Sequence, residues 1–142
     1  MPGNINIMYS SNSVEWSTPD EFFKKLDEEF NFTLDPCATE LNKKCSKFYT
    51  KEQNGLLQDW TGETVFCNPP YGKGVEDWVK KCYEHANSGY TAVMLIFART
   101  DTKYFHKYIY KQFEIRFIKG RLKFGGCKNS APFPSMLVIF KK

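Results

Sequence analysis

Asn68, Pro69, Pro70 and Tyr71 stand in a row behind the apolar run Val65-Phe66-Cys67. Proline donates no ladder hydrogen bond and fixes its φ, so a strand over the apolar run must stop at Asn68. An amide, a fixed carbonyl and an aromatic face then converge at the C-terminal end of a strand, with Gly72 and Gly74 close behind. In an open α/β sheet that edge is where ligands bind. The constellation suits methyl transfer to a planar, conjugated amino group such as the exocyclic nitrogen of adenine, whose lone pair is delocalised into the ring. If the Asn68 side-chain oxygen accepts one N–H and the Pro69 or Pro70 carbonyl accepts the other, the nitrogen is drawn towards sp³ and its lone pair turns outward. No general base is then required. A sulfonium methyl placed in line with that lone pair, and Tyr71 stacked on the ring, leave positioning and electrostatics to lower the barrier. Pro-Pro alone reads more simply as a strand ending in a loop with Tyr71 as packing; the Asn before it and the Tyr-Gly after it argue for the chemistry.

The flanking segments predict a scaffold for that edge. Thr18-Pro19-Asp20-Glu21 reads as a capping box, with Thr18 at N-cap, Pro19 at N1 and Glu21 at N3. Phe22, Phe23, Leu26 and Phe30 give the following helix one apolar face. Residues 32–34 form a short strand ended by Asp35-Pro36, expected to be the central first strand. Residues 47–50 are a candidate second strand before an Asn54-Gly55 turn. Val75, Trp78, Val79, Cys82, Tyr83 and Ala86 recur with helical period, so Trp78 is read as core. Residues 91–97 are unbroken apolar, as a parallel strand covered on both faces requires. Arg99 follows that strand on the same edge as Asn68, and Asp101 or Thr100 can cap a further helix whose inward face is Tyr104, Phe105, Tyr108 and Ile109. Residues 113–118 and 136–140 are the last strands. The connection between them is long, glycine-rich and basic, and its Arg121, Lys123 and Lys128 interleave with Phe124 and Phe133 as nucleic-acid contacts require.

A chain of 142 residues favours one domain, read as 15–142 behind a polar, mobile arm at 1–14, with no room for a separate target-recognition domain of ordinary size. With 42% hydrophobic and 25% charged residues, the composition argues against a wholly disordered chain. A net charge of +4 permits contact with a polyanion without requiring it. Five cysteines without a C-x-x-C pair predict reduced thiols in a cytoplasm. His85 and His106 lack ligand spacing and are read as helix-surface residues, so no metal is expected. No run of 18 apolar residues offers a membrane span, and the N-terminus lacks an export pattern.

At these residues the sequence resembles the amino-group methyltransferases that use S-adenosylmethionine, whose fourth motif reads Asp/Asn/Ser-Pro-Pro-Tyr/Phe. More closely it is similar to the small phage-encoded DNA N6-adenine methyltransferases of the Dam type. The resemblance runs from Glu15-Trp-Ser-Thr-Pro19 through Leu34-Asp-Pro-Cys-Ala38, Asn54-Gly-Leu56, Asn68-Pro-Pro-Tyr71, Ala98-Arg-Thr-Asp-Thr-Lys103 and Gly120-Arg-Leu-Lys-Phe124 to Pro132-Phe-Pro-Ser135. It implies an α/β fold, a reduced class I (Rossmann-like) methyltransferase with a mostly parallel sheet and one antiparallel strand near the C-terminus. It implies transfer of a methyl group to adenine N6 in double-stranded DNA, the base being flipped into the pocket beside Asn68 and Tyr71. Trp16, Thr18 and Pro19 would lie against the methionine end of the cofactor, and the loop Asp35-Pro36-Cys37-Ala38 would receive it beside Asn68. Here the chain departs from the usual Asp-Pro-Phe-x-Gly-x-Gly: the glycines are missing, and the close backbone approach falls to Cys37 and Ala38. Glu52 and Asp59 are the candidate acids for the ribose. Lys73, Arg99, Arg121, Lys123 and Lys128 are the candidate DNA contacts, and the host-cell cytoplasm the expected location. Cys67 precedes Asn68 and is no nucleophile on this reading. The same motif also occurs in methyltransferases of RNA adenine, guanine N2 and protein glutamine, and a non-catalytic binding module is the rival from another class.

Overall fold

The computed structural model describes residues 16–126 and 131–142. The expected arm at 1–14 and Lys128 lie outside the described residues. Among the described residues eight strands follow in chain order: β1 (Trp16–Ser17), β2 (Leu34–Asp35), β3 (Lys47–Phe48), β4 (Thr64–Cys67), β5 (Thr91–Phe97), β6 (Glu114–Phe117), β7 (Gly125–Gly126) and β8 (Ser135–Phe140). Six of them form one sheet in the order β3-β2-β4-β5-β8-β6. β3, β2, β4 and β5 pair in parallel, and β8 runs antiparallel to both β5 and β6. This is the mostly parallel α/β sheet with one antiparallel strand that the resemblance implied.

A helix covers each face of the sheet. Helix α2 (Val75–Asn87) buries Val75, Trp78, Val79, Cys82 and Ala86 against Leu34, Val65, Cys67, Met94, Ile96, Val138 and Phe140. Helix α1 (Asp20–Phe30) packs Phe22, Phe23, Leu26 and Phe30 against Phe66, Val93, Leu95, Leu137 and Ile139. Successive β5 side chains thus meet opposite layers, which is why no polar alternation marks that strand. Trp78 is core, stacked on Trp60 at 6.4 Å.

Several expectations need correction. The first strand is Leu34–Asp35 rather than 32–34, because Phe32 turns its ring into a cluster with Phe23, Phe30 and Phe66. It lies one strand in from the sheet's edge, not at its centre. Helix α1 starts at Asp20 with Pro19 at the cap, and no side chain caps it; the Pro19 carbonyl accepts from Phe23 N–H at 3.0 Å. Thr18 is therefore released from capping. After β5, Thr102 rather than Asp101 or Thr100 accepts from a helical N–H, that of Phe105 at 3.4 Å. The helix there is a π-turn over Phe105–Ile109, closed by Tyr110 N–H on the Phe105 carbonyl at 2.8 Å. His85 is buried rather than on the surface, its Nε2 2.9 Å from the Glu63 carbonyl oxygen and its ring against Trp60 and Tyr90. That burial pushes its pKa down. A small second sheet was also unforeseen: β1 pairs antiparallel with β7, Trp16 opposite Gly126 and Ser17 opposite Gly125.

The loop after β2 is shaped from within. The Asp35 carboxylate, 4% exposed, accepts from Cys37 N–H at 3.3 Å and from Lys44 N–H at 3.0 Å. Ala38 N–H donates to the Tyr49 carbonyl and Tyr49 N–H to the Asp35 carbonyl, both at 3.0 Å, locking the loop to the end of β3. A close backbone contact within the protein also forms at this loop, from across space. A Cβ on Gly55 would lie 2.1 Å from the Pro36 carbonyl oxygen and 3.1 Å from the Trp78 ring. Gly55 belongs to the Asn54-Gly55 turn, where Asn54 at φ 54° caps a 3₁₀ turn by accepting from Leu56 N–H.

Gly55→Ala is therefore expected to overpack the Pro36 contact and cost about 1–3 kcal/mol, read as a lower urea midpoint at unchanged slope; an unshifted midpoint would remove the contact from the fold's requirements. Burial pushes the Asp35 carboxyl up from 3.8 to about 6, the amides of Lys44 and Cys37 pulling the other way. Because the folded chain then holds the proton more tightly than the unfolded chain, this group's contribution to stability falls as pH rises from 3.8 to about 6. Asp35→Asn should flatten the pH dependence of unfolding free energy across that window, and an unchanged slope would contradict the burial of a titrating carboxyl.

Candidate active site

The parallel register of β2, β4 and β5 (Leu34 opposite Val65, Cys67 opposite Met94) makes three chain segments leave the same edge of the sheet. They are the loop from Pro36, the Asn68-Pro69-Pro70-Tyr71 run and the stretch from Ala98. Pro69 is buried and Pro70 exposed, and Gly72 and Gly74, both at φ 100°, take the backbone round to the start of α2. Asn68, half-buried at the end of β4, donates from Nδ2 to Thr18 Oγ1 at 3.0 Å. Its Oδ1 accepts from the Tyr71 hydroxyl at 3.3 Å. The sequence pointed only to the ring of Tyr71, and the hydroxyl has a use as well.

Around Tyr71 the aromatic side chains form a series. Its ring stacks on Phe97 at 4.2 Å and 15° and meets Phe124 edge-on at 5.8 Å. Phe97 in turn touches Phe133 at 5.3 Å, and the Arg99 guanidinium lies 4.7 Å over the Phe133 ring. Phe124 is buried, so it is a packing residue rather than a surface for bases, whereas Phe133 is 39% exposed. Nothing in the sequence singles out Phe97, since it is the last residue of an apolar run that reads as core throughout.

Of the residues expected around a cofactor, Thr18 reaches Asn68 directly, and Pro36 and Ala38 are buried in the loop beside it. Trp16 is tied to Gly126 through its backbone. Cys37 is half-buried, and burial with the neighbouring Asp35 pushes its thiol well above the usual range. The Asp35 carboxylate is turned into its own loop. Asp59 does not belong to this edge: its carboxylate takes the Thr61 N–H and hydroxyl, and it lines a cleft with His85, Ser88 and Tyr90, the last immediately preceding β5. Glu52 is exposed in the turn after β3. A groove of about 500 Å³ along the free edge of β3, lined by Glu40, Ser46, Lys47, Phe48, Thr50 and Gln53, contains none of the residues that converge on Asn68.

Among the candidate DNA contacts, Lys73, Arg99 and Lys123 are exposed. Arg121 has a structural task that the sequence did not reveal. Its guanidinium donates to the Ala131 and Pro132 carbonyls at 3.3 and 2.7 Å and closes the neck of the basic connection, next to the Ala131 N–H bond to the Leu122 carbonyl. Cys67 and Cys82 are buried side by side, and desolvation holds the Cys67 thiol well above its ordinary pKa, so it has no thiolate to offer a substrate.

The family model described as DNA N-6-adenine-methyltransferase (Dam) matches residues 8–142. The DNA N-6-adenine-methyltransferase of Haemophilus phage HP1 is 34% identical over 134 residues, covering 89% of this chain and 78% of that relative. The DNA N-6-adenine-methyltransferase of Escherichia phage T1 is 38% identical over 93 residues, 63% of this chain and 38% of the relative. The putative methyltransferase YfdM of Escherichia coli K12 is 38% identical over 64 residues, 40% of this chain and 70% of the relative. A family match over nearly all of its length, with the Asn-Pro-Pro-Tyr run at the sheet edge, makes this chain a member of the DNA N-6-adenine-methyltransferase (Dam) family.

Proposed function

We propose that this protein transfers the methyl group of S-adenosylmethionine to the N6 amino group of adenine in double-stranded DNA, acting in the cytoplasm as a single domain over 15–142 with an arm at 1–14. The observation that carries the reading is the pair of hydrogen bonds holding the Asn68 amide beside Tyr71 at the end of β4. Asn68 Oδ1 accepts one N–H of the amine and the Pro69 or Pro70 carbonyl the other. With both acceptors fixed beforehand, the nitrogen is held pyramidal without reorganisation during the reaction. Tyr71 stacks on the flipped base, and Phe97 braces its ring from behind.

The cofactor supplies a methyl group on a sulfonium sulfur. Trp16, Thr18, Pro19, Asp35, Pro36, Cys37 and Ala38 would hold it, with Asn68 at the reacting end. The chemistry of these groups suits a cation: the Thr18 hydroxyl and Asn68 amide are uncharged, Asp35 becomes anionic above about 6, and the Lys44 ammonium is occupied by Asp20 at 2.6 Å. Lys73, Arg99, Lys123 and Lys128 would contact phosphates, while Arg121 closes the neck of the connection through the Ala131 and Pro132 carbonyls.

Tritium transfer from labelled cofactor, followed by mass spectrometry for N6-methyladenine in digested DNA, tests the reading; label that appears in no adenine would overturn it. Asn68→Ala should lose on the order of 10²–10³ in single-turnover rate while cofactor affinity, read by calorimetry, changes little. Near-wild-type turnover in a folded variant would remove Asn68 from the chemistry. Replacing Lys73, Arg99 or Lys123 with Ala should each lower the salt slope of DNA binding by about one, without regard to sequence. Arg121→Ala should instead lower the melting temperature, because it opens the neck of the connection; a change in salt slope alone would return it to the phosphate contacts.

A further inference from the structure

We propose that Phe133 is the wedge that opens the duplex: as the target adenine leaves the stack, the Phe133 ring takes its place, and Arg99 beside it holds an adjoining phosphate. This rests on the function proposed above and names the side chain that offsets the stacking lost on flipping. Drawing a base out of a duplex gives up its pairing and its stacking on two neighbours. The pairing is lost in any case, but an aromatic ring in the gap restores stacking, because every base offers a π-face. Such a ring has to stand beside the pocket, project into solvent before DNA arrives, and be backed firmly enough not to be pushed aside.

Phe133 meets each condition. β8 runs antiparallel to β5 with Ser135 opposite Phe97, so the residues ahead of β8 lie at the edge where β4 and β5 end. From Tyr71, whose ring takes the base, Phe97 leads outward to Phe133, with centroids 4.2 Å and then 5.3 Å apart. Tyr71 and Phe97 are half-buried, whereas Phe133 is 39% exposed. A lone exposed apolar side chain is ordinary on a protein surface. The backing of this one is not. Pro132 and Pro134 restrict the backbone on both sides of it. The Pro132 carbonyl accepts from the Arg121 guanidinium at 2.7 Å, and the Pro134 carbonyl accepts from Ala98 N–H at 2.8 Å. The ring is thus presented by a braced segment, and little further ordering is needed when DNA binds. The Arg99 guanidinium lies 4.7 Å over the same ring, and its approach to Asp101 is long at 3.9 Å, so a cation stands beside the wedge for a phosphate of the displaced nucleotide.

The test compares single-turnover methylation of two duplexes that carry the site methylated by the wild-type protein. In one the target adenine is paired with thymine. In the other it faces a pyrene nucleotide, which pushes the adenine out and fills the space with its own aromatic surface. Phe133→Ala should slow transfer about tenfold or more on the paired duplex and about twofold or less opposite pyrene. 2-Aminopurine at the target of a paired duplex should brighten when the wild-type protein binds and stay dim with Phe133→Ala, while cofactor affinity, read by calorimetry, is unchanged. If Phe133→Ala does not fold, Phe133→Leu decides, since it keeps an apolar contact for Phe97; it should lose about threefold on the paired duplex and nothing opposite pyrene. An equal loss on both duplexes, or wild-type transfer and brightening in Phe133→Ala, would each overturn the wedge and leave the functional reading in place. A wild-type protein that methylates no adenine would overturn the functional reading, and the wedge with it.

Discussion

The backbone of Pro69 and Pro70 cannot extend a sheet, and the arrangement of the site follows from that single incapacity. β4 runs through the interior, flanked in parallel by β2 and β5, and ends at Cys67, because Pro69 and Pro70 after Asn68 have no N–H groups to give. Asn68 is consequently delivered to the edge half-buried, where an amide left without partners is costly. Its two ends are met by residues from different parts of the chain, Tyr71 three residues on and Thr18 fifty residues back. Stopping a strand thus creates a demand for hydrogen bonds, and that demand fixes how the segment before α1 must cross the edge.

The loop beside it follows a related logic with glycine in a different role. Glycines in a cofactor loop normally let a ligand approach the backbone. Here Gly55 lets the protein approach its own backbone, at the Pro36 carbonyl, and the Asp35 carboxylate gathers the Cys37 and Lys44 amides into a fixed turn. Desolvating that carboxyl costs free energy, which the two amide hydrogen bonds offset only in part, and its raised pKa records the balance. A rigid loop built on internal hydrogen bonds needs no flexibility of its own.

Much of this is legible in the sequence, because the features concerned are repeated or local. The period of α2, the apolar run of β5 and the proline stop after β4 each speak through several neighbouring residues. What stays hidden there depends on single residues acting over distance. Thr18 carries the same sequence signature whether it caps a helix or accepts from Asn68, and Pro19 and Glu21 make capping the stronger local interpretation. Arg121 looks like a phosphate ligand because the carbonyls it binds, on Ala131 and Pro132, leave no mark in a sequence. β7 is two glycines and cannot show the alternation by which strands are found. His85 is different: it stands seven residues after Trp78, on the buried stripe of α2, so the signal for its burial is present and is outweighed by its polarity.

The unforeseen β1·β7 pairing also explains how so short a chain can hold its parts in register. The basic connection is anchored at its neck by Arg121 and, further along, by the pairing of Gly125 and Gly126 with Ser17 and Trp16. Thr18 is the next residue, and its hydroxyl ends on Asn68. The segment assigned to DNA, the segment assigned to the cofactor and the amide assigned to the amine are therefore consecutive links of one hydrogen-bonded series. In this fold the β1·β7 pairing brings the basic connection to the residue before Thr18, whose hydroxyl accepts from Asn68, so a few consecutive residues join the three parts.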